Sequence, residues 1–271
     1  ITYYNPAEVD IAVDANGKRT GAKLKADGAP VESGGIGTMS KSKNNGVDPQ
    51  SLIDEYGADT ARLFMMFASS PEDTLLWNDA GVEGASRFLK RLWNFAYDNS
   101  GFFGHGNLPV AIDWSAAPEE FKRSRREIHL ALNQANFDFA KFQFNTVVSA
   151  AMKILNALER TPPMTKVVAG AKVQPVYQML INEGLSILLR LLAPFTPHIA
   201  HALWRDLGCG EDILTAPWPE PDAQALVADE IEFVLQVNGK LRGSMRVAKD
   251  LDRIRIETLA LQNTNVQKHV G

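Results

Sequence analysis

One stretch of the chain combines the residue types that bind phosphate groups. Residues 34–49 hold glycines, serines, lysines and asparagines, and the stretch ends at an Asp-Pro pair. Glycine lets a backbone come close to a ligand, and serine hydroxyls, amide N–H groups and lysine ammoniums are the donors that a polyphosphate requires. A solvated surface loop is the alternative, and the residue order of a Walker loop is absent. The stretch is a candidate nucleotide-phosphate site.

The elements around this stretch must hold it in place. Asp48 is a good N-cap and Pro49 suits the first position of a helix, so the sequence predicts a helical segment directly after the loop, through Ala68. Residues 1–37 alternate in polarity and contain Asn16-Gly17 and Asp27-Gly28, which are strong hairpin signals, so we predict a small β meander before the loop.

Apolar spacings of three and four predict further helices. We expect a helix capped by Asn78 or Asp79, one over 119–136, one capped by Asn145 and one over 175–192. The buried stripe predicted for the first of these contains Val82, Ala85, Phe88, Leu89, Leu92, Trp93 and Ala96. Near the end, residues 231–237 and 241–247 alternate around Asn238-Gly239 and predict a hairpin.

Composition restricts the classes of protein. The chain has 271 residues, a formal net charge of −4 and one cysteine. Any nucleic-acid contact must therefore come from local basic patches, and an internal disulfide is excluded. No apolar run approaches the ~20 residues of a membrane span. Because the sequence starts at Ile1 without a signal peptide, we expect an excised part of a longer protein.

The motifs resemble those of a known family. Met39-Ser40-Lys41-Ser42 is similar to the last four residues of the Lys-Met-Ser-Lys-Ser signature of class I aminoacyl-tRNA synthetases, and residues 43–49 resemble the bacterial leucyl branch. Thr38 stands where the signature has its first lysine. Residues 81–94, 194–198 and 236–243 resemble later parts of the same family in the expected order.

The resemblance implies a mainly α fold, a class Ia anticodon-binding helix bundle with a small β meander and the signature loop before it and a small partial α+β domain after it. The implied division is 1–37 as the tail of a leucine-specific insertion, 38–70 as the signature loop with its following helices, 71–216 as the bundle, 217–229 as a linker and 230–271 as part of a C-terminal tRNA-binding domain.

The implied reaction is ATP-dependent ligation of leucine to tRNA(Leu) through leucyl-adenylate, with Mg2+. The resemblance gives Lys41 the catalytic role, and the ATP-binding residues are then Met39, Ser40, Lys41, Ser42 and Lys43. The His-Ile-Gly-His motif of the family is absent from the sequence, so we expect this chain alone to be inactive. Alternatives are a non-catalytic tRNA- or RNA-binding module derived from such an enzyme, and an isoleucyl or valyl enzyme.

Basic residues on predicted helices and strands are candidates for tRNA contact, with a merely solvated surface as the alternative. They are Arg87, Lys90, Arg91, Lys122, Arg123, Arg125, Arg126, Lys240 and Arg242. His198 and His201 lie three residues apart but lack a nearby cysteine or a clear acidic third ligand, so we predict no metal site. We expect a cytoplasmic monomer with no membrane contact.

Overall fold

A computed structural model describes residues 2–15, 19–32, 34, 37–103, 112–162, 173–227, 230–248 and 251–269. Most of these residues are helical, with small antiparallel sheets before and after the helical region, as predicted. The chain divides into two compact units, Ile1–Ala61 and Arg62–Gly271.

The first unit contains a hairpin and the loop that follows it. Strand β1 (Val9–Val13) pairs antiparallel with β2 (Arg19–Leu24), and Val9 lies opposite Leu24. After the loop come helices α1 (Pro49–Tyr56) and α2 (Ala58–Phe67), which are separated by Gly57 at φ +85°. Only a residue without a Cβ adopts that φ without strain, so the predicted helical segment is broken at this glycine. The division between the units falls within α2.

The second unit continues with a bundle of long helices. They are α3 (Asp79–Asp98), α4 (Glu119–Ala140), α5 (Phe144–Arg160), α6 (Val173–Leu192) and α7 (Pro197–Asp206), followed by the short α8 (Ala223–Leu226). Helix α5 packs against α3, α4 and α6, so it lies at the centre of the bundle. Its stripe of Val147, Val148, Ala151, Ile154, Leu155 and Leu158 is buried, as the spacing predicts.

Two details of the predicted helices are wrong. The predicted stripe of α3 is buried except at Trp93, which is 39% exposed. Helix α5 begins at Phe144, one residue before Asn145, with Gln143 at its N-cap position. Asn145 therefore lies inside the first turn.

An aromatic cluster joins the bundle to the proline-rich segment after α7. The Phe139 ring on α4 lies 4.9 Å from that of Trp218 and 5.6 Å from that of Phe144, measured between centroids. The Trp218 indole N–H also donates to the Asn136 Oδ1 at 2.9 Å. Aromatic pairs at these distances stabilise a core beyond the area they bury. The segment predicted as a linker is thus packed on α4 in this structure.

Arg62 is hydrogen-bonded to the segment that precedes α7. The Arg62 guanidinium donates to the carbonyls of Phe195 at 3.1 Å and Pro194 at 2.9 Å, in the connection between α6 and α7.

Cys209 follows α7. Burial raises the pKa of its thiol to about 11, and the nearby Arg190 opposes this rise.

The end of the chain forms the predicted hairpin and a short helical pair. Strand β3 (Glu230–Val237) pairs antiparallel with β4 (Lys240–Ala248), and the turn between them holds Asn238 and Gly239 at positive φ. Helices α9 (Arg253–Gln262) and α10 (Thr264–Gln267) follow, and α10 packs against the hairpin. Asp252 caps α9 by accepting from the Arg255 N–H at 2.8 Å. Among the described residues, no helix combines the length and apolarity that crossing a bilayer requires.

Candidate phosphate loop and RNA-contacting surface

The conformation of the candidate phosphate loop is fixed by the side chain of Asn45. Its Oδ1 accepts from the Ser40 N–H at 2.7 Å, and its Nδ2 donates to the Thr38 carbonyl at 3.2 Å. One amide side chain thus holds both sides of the Thr38–Ser40 segment. Asn45 was not among the residues predicted for the phosphate site, although asparagine often hydrogen-bonds to backbone groups in turns.

The lysines of the loop lie in a tight turn. Residues Lys41–Lys43 form one turn of 3-10 helix, in which the Lys43 N–H donates to the Ser40 carbonyl at 3.2 Å. Asn44 then adopts the left-handed conformation at φ +46°, which asparagine tolerates better than most residues. The turn therefore presents Lys41, Ser42 and Lys43 consecutively from a defined backbone.

The side chains of the loop suit a polyanion. Met39, Lys41, Ser42 and Lys43 are exposed, Ser40 is half-buried, and the Ser40 and Ser42 hydroxyl oxygens lie 3.3 Å apart. Across the described residues, neither lysine has a carboxylate within salt-bridge distance. Ammonium and hydroxyl donors without a neutralising acid fit phosphate oxygens. The loop has no acidic residue between Thr38 and Val47, so Mg2+ would be bound chiefly through the phosphates of the nucleotide.

The exit from the loop follows the prediction closely. Asp48 occupies the N-cap of α1, and its carboxylate oxygens accept from the N–H groups of Gln50 and Ser51, each at 3.2 Å. Pro49 takes the first helical position, where its missing N–H costs nothing. The start of α1 is therefore fixed by the same residues that end the loop.

The basic candidates on α3 have different surroundings. Lys90 is exposed, and Arg87 is exposed with Glu83 at 3.3 Å one turn away. Arg91 instead ties α3 to α5, because its guanidinium donates to the Glu159 carboxylate and to Asn156 Oδ1 at 2.8 Å. Lys90 is thus available for a phosphate, Arg87 would have to leave an exposed pair within α3, and Arg91 is bonded to α5.

The basic cluster on α4 does not lie on one surface. Arg123 is exposed, Lys122 pairs with Glu119 at 2.9 Å, and Arg126 lies 3.5 Å from the Leu226 carbonyl. Arg125, by contrast, is buried, with a side chain only 7% exposed. It falls on the apolar stripe of Phe121, Ile128 and Leu132, four residues from the first and three from the second, and that spacing was the signal that its side chain points inward.

Arg125 is the centre of a buried polar network. Its guanidinium donates to both Glu183 oxygens on α6, at 2.7 and 2.8 Å, and to the Asp222 carboxylate at 2.6 Å. His129 completes the network: its Nε2 lies 3.0 Å from Glu183 Oε1, and its Nδ1 accepts from the Asp222 N–H at 3.0 Å. Burial alone would raise the pKa of Glu183, but the hydrogen bonds from His129 and Arg125 hold it below its ordinary value. We therefore leave Arg125 out of the RNA-contacting residues.

The hairpin contributes two further basic residues. Lys240 at the start of β4 is exposed, and Arg242 is half-buried. The Nε of Arg242 is buried without a hydrogen-bond partner among the described residues. Of these two, Lys240 is the one that is fully presented to solvent.

The paired histidines of α7 lie on a groove. His198, His201 and Arg205 line a space of about 930 Å3 together with residues 211–214. His201 Nδ1 is 3.5 Å from the Asp212 carboxylate. In the part of the chain that the structure describes, no cluster of three or more histidine, cysteine or acidic residues could hold a metal ion.

Comparison with known proteins gives two family matches. Residues 123–258 match the family described as the anticodon-binding domain of tRNA ligase, and residues 30–77 match class I tRNA synthetases for isoleucine, leucine, methionine and valine. The second match contains the whole candidate phosphate loop, and the first contains most of the bundle together with the C-terminal hairpin.

Similar full-length proteins are bacterial leucine–tRNA ligases. Those of Aromatoleum aromaticum and of Azoarcus sp. strain BH72 are each 56% identical over 268 residues, which is 98% of this chain. The chain spans about 30% of the length of these relatives. Among solved structures, the agnB2 LeuRS of Agrobacterium radiobacter K84, in a ternary complex with tRNA and LeuAMS, matches with a TM-score of 0.67 and 28% identity over 86% of this chain and 28% of that one.

Proposed function

This chain belongs to the class I tRNA ligases that carry an anticodon-binding domain, in their leucyl branch, and we propose that it supplies the phosphate loop and the tRNA-binding part of a leucine–tRNA ligase. The full reaction would join leucine to tRNA(Leu) through leucyl-adenylate, with ATP consumed and pyrophosphate released. We expect the enzyme to act in the cytoplasm as a monomer.

The observation that carries the proposal is the pair of lysines on a loop whose backbone is held by Asn45. Negative charge builds on the β- and γ-phosphates as pyrophosphate leaves, and Lys41 would stabilise that charge in the transition state. Ser40 and Ser42 would orient the phosphates, Lys43 would add a second charge, and the backbone of Met39 would meet the adenine. With Thr38 in place of a lysine, the positive charge of the loop rests on Lys41 and Lys43.

The tRNA backbone would be bound by cations of the bundle and the hairpin. This set contains the exposed Arg87, Lys90, Arg123 and Lys240 and the half-buried Lys122, Arg126 and Arg242. Lys90 and Arg123 are its best members, because both are exposed and neither has a carboxylate within salt-bridge distance among the described residues. Such contacts position an RNA without reading its sequence.

Leucine-dependent ATP–pyrophosphate exchange by the full-length protein tests the role of the loop. Lys41→Ala should lower the exchange rate at least about 100-fold, the usual effect of removing one preorganised donor. Asn45→Ala should lower it less, because the lysine remains but its backbone is no longer held. Lys25→Ala is the matched control: it removes an exposed lysine of the first unit, whose ammonium lies 4.0 Å from Asp10.

The outcomes separate the candidate functions. Exchange that survives Lys41→Ala would contradict the role of that residue. Exchange with isoleucine or valine in place of leucine would identify another class Ia enzyme. tRNA binding without exchange for any amino acid would make the protein a non-catalytic RNA-binding module.

We also propose that the 271-residue chain alone does not aminoacylate, since its sequence lacks the His-Ile-Gly-His motif of the family. Incubation of the purified chain with leucine, ATP, Mg2+ and tRNA(Leu) measures this directly. Any leucyl-tRNA above the level of a Lys41→Ala control would contradict it.

A further inference from the structure

The phenylalanines in and beside the connection between α4 and α5 form two groups. Phe139 and Phe144 point inward and pack edge-on against each other and against Phe195. Phe137 and Phe142 are 57% and 68% exposed, and the Phe142 ring also makes an edge-on contact with Phe144, with centroids 6.0 Å apart. More than half of each of these two side chains nevertheless remains in water, so most of both rings is available to a partner.

The backbone at Phe142 is unusual for a bulky residue. Phe142 lies at φ +58°, in the left-handed region that is rare for a bulky residue and favours glycine or asparagine. Its N–H donates to the Phe139 carbonyl at 3.0 Å, so the turn itself is well formed. A strained conformation that holds an aromatic ring out to solvent is the kind of outlier that marks a binding position.

A cation accompanies the exposed rings. The Lys141 ammonium lies 3.9 Å from the centroid of the Phe137 ring, and Lys141 is exposed. Between residues 137 and 144 the sequence has one acidic residue, Asp138, and that residue is buried. The surface of the connection is therefore aromatic and positively charged.

We propose that this aromatic turn (Phe137, Lys141 and Phe142) contacts an unpaired nucleotide of bound RNA. An exposed base would stack on the Phe142 ring, and Lys141 would bind an adjacent phosphate. Aromatic rings beside cations are the usual surface for unstacked nucleotides, because every base has a face that can stack. The inference rests on the proposed function, which makes tRNA the ligand of this bundle, and adds a contact of a different kind to the phosphate-binding cations.

RNA fits this surface better than a protein segment does. An apolar protein surface covering Phe137 and Phe142 would also take the Lys141 ammonium out of water, and the turn exposes no acid to pair with it. Burying an unpaired charge is costly. A phosphate next to a stacked base satisfies the ring and the ammonium together.

Binding of a labelled tRNA(Leu) transcript to the full-length protein, measured by fluorescence anisotropy at fixed salt, tests the contact. Phe142→Ala should weaken binding about tenfold, as for loss of one stacked base. Phe142→Tyr, which keeps a ring, should stay within about twofold of the wild type. Lys141→Ala should reduce the slope of log affinity against log salt by about one, while Phe142→Ala should leave that slope unchanged.

Phe142→Asn makes the test independent of folding defects. Asparagine tolerates the left-handed conformation, which offsets the loss of the Phe142–Phe144 contact. This variant should therefore keep a midpoint of thermal unfolding close to that of the wild type and yet bind tRNA about tenfold more weakly. Leu130→Ala is the matched control, since Leu130 is an apolar residue of α4, the helix that precedes Phe142, with 41% exposure. It should leave the affinity unchanged.

Two results would overturn the contact alone. In the first, the wild type binds tRNA and the Phe142 variants bind it equally well. In the second, Phe142→Ala lowers the unfolding midpoint with no loss of affinity, which would mean that the ring packs on Phe144 for stability and does not bind RNA. Failure of the wild type to bind tRNA would overturn the proposed function together with this contact.

Discussion

At the scale of single residues, the buried network around Arg125 shows how a polar group can take a core position. Arg125 lies over the Trp114 ring at 4.5 Å and bonds to carboxylates from α6 and from the segment before α8. The same carboxylates keep the guanidinium protonated: burial would lower the pKa of Arg125, but Glu183 and Asp222 outweigh it and raise the pKa. A charge in this position is stable only while its partners remain.

Glu183→Gln removes the main partner of that charge. We expect the free energy of unfolding to fall by about 3 kcal/mol, because the buried Arg125 keeps its charge and loses a bidentate carboxylate. Urea denaturation at neutral pH measures the change. Glu159→Gln is the comparison, since its partner Arg91 is half-exposed and such surface pairs contribute less than about 1 kcal/mol. Equal losses in the two variants would contradict the prediction.

The same network predicts a dependence on pH. The pKa of Glu183 is lowered in the folded protein, so its stabilising effect is complete above the ordinary glutamate pKa and is lost as the pH falls through the lowered value. The difference in unfolding free energy between wild type and Glu183→Gln should therefore shrink as the pH falls below that ordinary value. Urea titrations at a series of acidic pH values measure it, and a constant difference would contradict the assignment.

Some of the functional residues could be predicted from the sequence and others could not. The residues of the phosphate loop and the Asp48 cap could be recognised because local chemistry alone determines them. Asn45 and Arg125 could not be assigned in the same way, since their roles depend on which groups the fold brings close. For Arg125 the helical period already indicated an inward position. Because its neighbours in the sequence are also basic, the residue was instead predicted to contact tRNA from the surface.

At the scale of elements, close approach between helices depends on one glycine. A Cβ added at Gly184 on α6 would lie 2.5 Å from Leu158 Cδ2 and 3.1 Å from Ile128 Cδ1. Leu158 and Ile128 are themselves fully buried, so neither side chain has free space to move into. Helices α4, α5 and α6 can meet at this distance only because residue 184 has no side chain.

Gly184→Ala should therefore lower the free energy of unfolding by about 1–2 kcal/mol, since the overpacking cost exceeds the gain in helix propensity. Gly84→Ala is the matched control on α3, where the nearest atom to a new Cβ is Arg87 Nη2 at 3.8 Å. That variant should be as stable as the wild type or up to about 1 kcal/mol more stable. Urea denaturation of both compares them, and stabilisation by Gly184→Ala would contradict this description of the helix contact.

The elements themselves could largely be predicted. Apolar spacing located α3, α5 and α6, and the Asn-Gly turn located the hairpin of β3 and β4, because local pattern and tertiary packing agree there. The start of α5 was misplaced by one residue, since Asn145 looked like a good cap and the N-cap position went to Gln143. The packing of Trp218 on Phe139 had no signal in the sequence beyond the presence of aromatic residues.

At the scale of the whole molecule, a net charge of −4 has to coexist with binding of a polyanion. Such binding depends on local cations and is weakened by salt. We expect the affinity for tRNA to fall linearly, on logarithmic axes, as salt rises. Lys90→Ala and Arg123→Ala should each reduce that slope by about one, while Lys25→Ala should not change it. Slopes that are equal in all variants would contradict the assignment of these cations.

The chemistry of Cys209 has a practical consequence for experiments on this chain. With a thiol pKa of about 11, only about one thiol in a thousand is ionised at pH 8, and the ionised form is the one that reacts. The one native cysteine of the chain should therefore stay largely unmodified under maleimide labelling. A fluorophore attached through a cysteine introduced on an exposed helix position would then report from a single known place, without the native residue first being replaced.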